Sequence, residues 1–201
     1  MTPLRMTFAA MVLVATALPA QAEKISLNAI SKYLNGLTTA KSQFTQINDD
    51  GTISTGTIYL KRPGRARFEY NPPTDALVVA GGSQVAIFDG KSNAGPQQYP
   101  LKRTPLNLIL ERNVNLNRAK MVVGHKYDGT ATTVVAQDPE NPEVGTIELK
   151  FTSNPVELRQ WIITDNAGSK TTVLLGELEK GGSLGSSLFS ITAAIKQRVR
   201  N

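Results

Sequence analysis

From residue 42 to residue 178 the chain is a succession of short strand-like runs divided by turn residues, and this succession constrains the fold more than any other feature. The first series is Ser42–Ile47, Thr52–Arg62, Arg65–Tyr70, Ala76–Val79 and Gln84–Phe88. Asp49-Asp50-Gly51, Pro63-Gly64, Asn71-Pro72-Pro73, Gly81-Gly82 and Asp89-Gly90 punctuate it. The second is Lys120–Tyr127, Thr132–Gln137, Gly145–Phe151, Glu157–Thr164 and Thr171–Leu178. Its turns are Asp128-Gly129, Asp138-Pro139 with Asn141-Pro142, Asn154-Pro155 and Asn166-Ala167-Gly168. Gly supplies positive φ, Pro fixes φ, and Asn or Asp bonds its own backbone, so each cluster reads as a turn. Connections this short leave no room for the crossover that parallel strands need, which predicts an antiparallel meander. Ile147, Leu149 and Phe151 alternate with Thr146, Glu148 and Lys150, as in a strand with one buried and one wet face.

Two segments break the pattern. Leu27, Ile30, Leu34 and Leu37 recur at spacings of three and four, predicting a helix from Lys24 to about Leu37 with Ser26 as N-cap and Gly36 near its end. Lys24, Asn28 and Lys32 face away from that stripe. In Thr104–Arg112, an N-cap Thr104 and Pro105 at the first helical position precede Leu106, Leu108, Ile109 and Leu110. That predicts a short, very apolar helix. A twisted meander with so few helices cannot cover both sheet faces, so the helices must cover one concave side. The expected architecture is mainly β: a curved antiparallel sheet forming an unclosed barrel, with short α-helices as a lid over the concave apolar face.

Arg62 is a misfit in this scheme. It shares the strand parity of Ile58 and Leu60, so it follows them onto one surface. If that surface is the concavity, the guanidinium needs hydrogen-bond partners, because an unpaired buried charge is costly. An always-charged, five-donor group at the lip of an apolar hollow can act as a latch. The alternative is a strand-end arginine whose head reaches water while its stem covers apolar surface.

The ends and the composition restrict the setting. Arg5, the apolar run Met6–Leu18 and the A-x-A-like Pro19-Ala20-Gln21-Ala22 predict a cleaved secretory signal over residues 1–22. Residues 23–201 then form a single exported domain. There is no cysteine, hence no disulfide, no lipidated N-terminal Cys and no thiol chemistry. The formal net charge of +6 is spread along the chain, which suits anionic headgroups or an acidic partner. A dense basic stripe with interleaved aromatics is missing, so nucleic acid is not an expected partner. His125 is the only histidine, so no histidine cluster can hold a metal. No nucleophile elbow, S-x-x-K, H-E-x-x-H or P-loop motif occurs. Neither an enzyme, a metal nor a cofactor is expected, though two carboxylates meeting only in space remain an alternative.

Several segments together resemble the LolA family, periplasmic carriers that ferry lipoproteins to the outer membrane. They are Phe44-Thr45-Gln46, Lys61-Arg62-Pro63, Phe68-Glu69-Tyr70, the hairpin Val79-Ala80-Gly81-Gly82 before Val85-Ala86-Ile87-Phe88, and Thr104 to Asn113, which is similar to the family's lid-helix motif. Gly81 stands where the family usually has Asp. The resemblance implies an unclosed antiparallel barrel plugged by helices, with Arg62 latching the lid in the closed, empty state. Its partners would be backbone groups around Leu34 on the first helix and Ile109 and Leu110 on the second. The apolar cavity would be lined by Ile58, Leu60, Phe68, Tyr70, Leu106, Leu108, Ile147, Leu149 and Phe151. The implied cargo is the acyl chains of lipoproteins, loaded by an inner-membrane ATP-driven lipoprotein-releasing complex and passed to an outer-membrane acceptor by a periplasmic monomer. A lipid or glycolipid carrier or sensor on the same fold is the leading alternative, and a purely structural envelope protein another. The family's closing aromatic strand and Pro-Gly turn are replaced here by Leu188-Phe189-Ser190-Ile191 and a basic tail.

Overall fold

A strand that must serve two meanders at once, β1 (Thr39–Ile47), organises the molecule. The computed structural model describes residues 23–90 and 95–198; the expected leader, 1–22, lies outside them. Before β1 comes α1 (Leu27–Gly36), and after it β2 (Ile53–Lys61), β3 (Arg65–Tyr70), β4 (Leu77–Gly81), β5 (Gln84–Phe88) and β6 (Gln97–Pro100). The one-turn helix α2 (Asn107–Leu110) precedes the second series, β7 (Val122–Tyr127), β8 (Thr132–Gln137), β9 (Gly145–Thr152), β10 (Glu157–Asp165) and β11 (Lys170–Leu175). The two-residue β12 (Glu179–Lys180) and α3 (Ile191–Arg198) complete the described chain.

All described pairings are antiparallel, in the order β6-β5-β4-β3-β2-β1-β11-β10-β9-β8-β7, with β12 also on β1. β1 pairs with β2 along its whole length on one side. On the other it takes β11 through Phe44–Ile47 and β12 through Ala40 and Lys41. β6 and β7 do not pair, so the barrel stays open, as the sequence predicted. These two strands are consecutive yet occupy opposite edges. The chain between them, residues 101–121, must therefore cross the sheet, and it carries α2.

α1 begins where predicted, with the Ser26 hydroxyl accepting the Ala29 amide at 3.2 Å. Ile30 and Leu34 are fully buried beneath it. β10 contains a bulge between Leu158 and Gln160. The extra residue shifts parity, so Leu158 and Trp161 both reach the core although they are an odd number of positions apart.

The C-terminus was not legible in advance. α3 lies on the opposite, outer face, where Leu77, Val79, Ala86 and Phe88 form a second apolar cluster with Ala194, Ile191 and Ile195. Arg198 ties the helix end down through Asp75 Oδ1 at 3.0 Å and lies over the Phe88 ring. Arg67, on the same face, donates to the Leu188 carbonyl at 3.1 Å. β6, also unpredicted, is wholly exposed and shows no apolar alternation.

Candidate functional site

The lid is mostly irregular chain. A 3-10 turn, Leu101–Arg103, leads into α2, which is shorter than the helix expected over Thr104–Arg112. Thr104 does not cap it, because its hydroxyl donates to the Leu101 carbonyl at 2.8 Å within the preceding turn. Leu106 takes the cap position with no side-chain bond. Leu108, Ile109 and Leu110 are each at most 2% exposed, so every side of this turn is covered.

What covers it is the concave face. One apolar cluster joins Ile30 and Leu34 of α1, Leu108 to Leu110 with Val114 and Leu116 of the lid, and the inward residues of β1, β2, β3 and β8 to β11. Of the residues expected to line a cavity, Ile58, Leu60, Phe68, Leu108, Ile147, Leu149 and Phe151 lie within this cluster, and Tyr70 and Leu106 pack at its margin. Phe44 and Trp161 belong to it as well. Phe68 meets both edge-on, at centroid distances of 5.9 Å and 6.1 Å. The bulge hid Trp161 from a parity argument. In this state the lid fills the hollow. A cleft of about 100 Å³ remains between Lys102 to Pro105, Met121 and the ends of β8 to β10, floored by Ala136 and Ile147.

Arg62 follows β2 directly, and its amide donates to the Thr38 carbonyl at 2.8 Å. Its Nη2 donates to Asn35 Oδ1 at 3.4 Å and to the Glu111 carbonyl. The arginine thus touches both the first helix and the lid, at Asn35 and Glu111 in place of the expected Leu34, Ile109 and Leu110, and on the first helix through a side chain and not the backbone. Both contacts lie at helix ends, Asn35 in the last turn of α1 and Glu111 as the C-cap of α2, where a carbonyl lacks an intrahelical partner. Arg62 Nε is buried without a partner. Burial pushes the guanidinium pKa down, opposed by the Glu111 carboxylate.

Asn35 is the residue that sequence reasoning missed. Its carboxamide donates to the Val114 carbonyl and accepts the Val114 amide, both at 2.9 Å. Ser31, one turn back, accepts the Leu116 amide at 3.0 Å, and Asn28 bonds Asn117. Their spacings of three and four were the only available signal, and it marks a face rather than a partner. His125 is structural: its Nε2 lies 2.8 Å from the Ile25 carbonyl at the entry to α1. Among the described residues no helix is long and apolar enough to cross a membrane. An apolar hollow closed by a lid on a few polar ties is an arrangement for sequestering an apolar ligand.

The family model of the outer membrane lipoprotein carrier protein LolA matches residues 35–192, a span that runs from α1 into α3. The chain belongs to the LolA family. It is similar to an outer-membrane lipoprotein carrier protein of Pseudomonas paraeruginosa, 24% identical over 196 residues covering 93% of each chain. A second, from Coxiella burnetii, is 24% identical over 169 residues, covering 80% of this chain and 79% of that one. Among solved structures, a LolA-superfamily protein from Nitrosomonas europaea covers 83% of this chain and 98% of its own, at 9% identity and a TM-score of 0.45.

Proposed function

We propose that this LolA-family protein is a periplasmic carrier that binds the acyl chains of lipoproteins in its concavity and performs no chemistry of its own. The observation that supports this reading best is the position of Arg62, a charge set at the rim of an otherwise apolar hollow and bonded to the lid. Acyl chains displace the lid and take over its apolar contacts. Each buried CH₂ contributes about 0.8 kcal/mol, so even partial burial holds cargo firmly. The same energy opposes release. Hydrogen bonds at such a rim contribute about 0.5–1.5 kcal/mol each, so losing the Arg62 ties on opening offsets part of the gain. Cargo then moves downhill to an outer-membrane acceptor with a less latched cavity, and an ATP-driven inner-membrane complex does the loading.

The test is mass spectrometry of what co-purifies with Arg62→Leu and with wild-type protein from the native envelope. Triacylated lipoproteins enriched on the variant support carriage and the latch together. Free phospholipid or glycolipid with no acylated polypeptide would replace this reading by that of a lipid carrier.

A further inference from the structure

Opening requires that something move, and the polar contacts divide the closing elements unequally. α1 is tied to the sheet at both ends and in the middle. Before it, the Ile25 amide donates to Thr132 Oγ1 at 2.9 Å, and the Ile25 carbonyl meets His125. Midway, the Tyr33 hydroxyl accepts the Leu158 amide at 3.2 Å, and its ring stands edge-on to Phe151 at 6.1 Å. After it, two residues lead into β1, and Thr38 is bonded to Arg62. The lid is held to the sheet at its two ends, Leu101 to Ser83 and Met121 to Gln137. Along its middle its polar ties are those of Leu110 to Gly64 and Glu111 to Arg62, and the line along α1: Val114 on Asn35, Leu116 on Ser31, Asn117 on Asn28.

That line follows one face of α1. Asn28, Ser31 and Asn35 are spaced three and four apart, and the lid meets them in reverse order, Val114 on Asn35, Leu116 on Ser31 and Asn117 on Asn28, as it enters the turn in which the Asn115 carbonyl accepts the Arg118 and Ala119 amides. Ser31 is the buried member. Its hydroxyl is fully used, donating to Leu27 at 2.7 Å and accepting from Leu116. Asn35, nearer the surface, presents the two groups that a neighbouring strand would offer Val114, and the same oxygen takes Arg62.

We propose that α1 is a stationary strut, that the lid parts from it along this seam, and that Ser31 and Asn35 are the positioning residues that set how readily it does so. Its relevance to cargo rests on the carrier reading above. Arg62 and the seam act together because they share Asn35, so weakening either loosens the lid while α1 remains on the sheet.

The absence of native cysteine makes paired spin labels unambiguous. Labels at Lys32→Cys on α1, Arg112→Cys on the lid and Lys126→Cys on β7, all exposed positions, report three distances by electron spin resonance. In cargo-free Ser31→Ala/Asn35→Ala protein the long-distance fraction of the Lys32–Arg112 pair should rise roughly tenfold, as expected for the loss of the three modest bonds to Val114 and Leu116. The Lys32–Lys126 distribution should stay as in wild type. If Lys32–Lys126 lengthens together with Arg112–Lys126 while Lys32–Arg112 holds, α1 and lid swing as one body and the proposal is overturned. An unchanged Lys32–Arg112 distribution overturns it too. Asn35→Ala alone gives the same readings if the double variant does not fold. Adding a triacylated cysteinyl peptide to labelled wild type tests the carrier reading separately: no binding there defeats carriage, while the cargo-free distances still judge the seam.

Discussion

Phe44 and Gly56 face each other across β1 and β2, and the ring of Phe44 lies over the bare Cα of Gly56. A Cβ on Gly56 would stand 2.7 Å from Phe44 Cε1 and 2.1 Å from the Glu69 carbonyl. The missing side chain lets Phe44 reach Tyr70, the next cross-strand neighbour, edge-on at a centroid distance of 5.1 Å. Gly56→Ala should therefore destabilise the protein by about 1–3 kcal/mol, read from denaturant midpoints at unchanged slope. A neutral result would mean that the β2–β3 pairing yields more easily than a packed sheet should.

Arg62→Leu should cost little stability although it deletes the Arg62 bonds to lid and helix. The wild-type Nε is already buried and unpaired, and leucine joins the surrounding apolar surface. A change within about 1 kcal/mol of wild type is expected. Arg62→Lys keeps the charge but lacks Nη2, the one guanidinium nitrogen that donates to both the Asn35 side chain and the Glu111 carbonyl. It should hold the lid less well than arginine, seen as faster amide exchange at Val114 and Leu116. A large loss of stability in Arg62→Leu would show the arginine to be a fold determinant.

Ending the chain after Ser190 should leave the lidded core folded and uncover Leu77, Val79, Ala86 and Phe88 on the outer face. Each large apolar side chain so exposed loses up to roughly 1.5–3 kcal/mol of burial. The truncated protein should bind more of an apolar dye and self-associate at lower concentration, with cargo binding retained. Lost cargo binding in folded, monomeric truncated protein would connect α3 to the opposite face.

Acid should weaken the hairpins in a defined window. The Asp50 carboxylate accepts from the Thr52 hydroxyl and amide, Asp128 from the Ala131 and Thr130 amides, and Asp138 from the Glu140 amide and the Asn141 side chain; each is held below its ordinary range. A lowered folded-state pKa means that the contribution is complete above the unfolded value of about 3.9 and is lost as pH falls through the folded value. Melting temperature should thus be level with respect to these groups above pH 5 and fall below about pH 4. Replacing all three by Asn keeps an acceptor oxygen and should flatten the fall between about pH 4 and pH 2. Equal slopes in both proteins would assign the acid response elsewhere.

Strand identity was legible because turn residues and alternation are local signals, and both series appear with only shifted ends. The α1 stripe was legible for the same reason. The partners of Arg62 were not. They depend on where the Asn35 side chain and the Glu111 carbonyl come to lie around the end of β2, and no periodicity reports that. Trp161 was concealed by a bulge, and the apolar stripe of α3, Ile191, Ala194 and Ile195, spans little more than one turn, too short to name the sheet face that it covers. The seam was invisible because half of it is main chain, which carries no residue code.

β6 and β7 sit at opposite edges, and the chain joining them is fastened at Leu101 and at Met121. The closing element therefore has no free end. It is a strap and not a door: it can bow outward only by the slack that its own contour allows. A hydrocarbon tail can slip beneath such a strap, whereas a folded polypeptide cannot pass under it. Whatever this molecule ferries must ride mostly outside, gripped by its thinnest part.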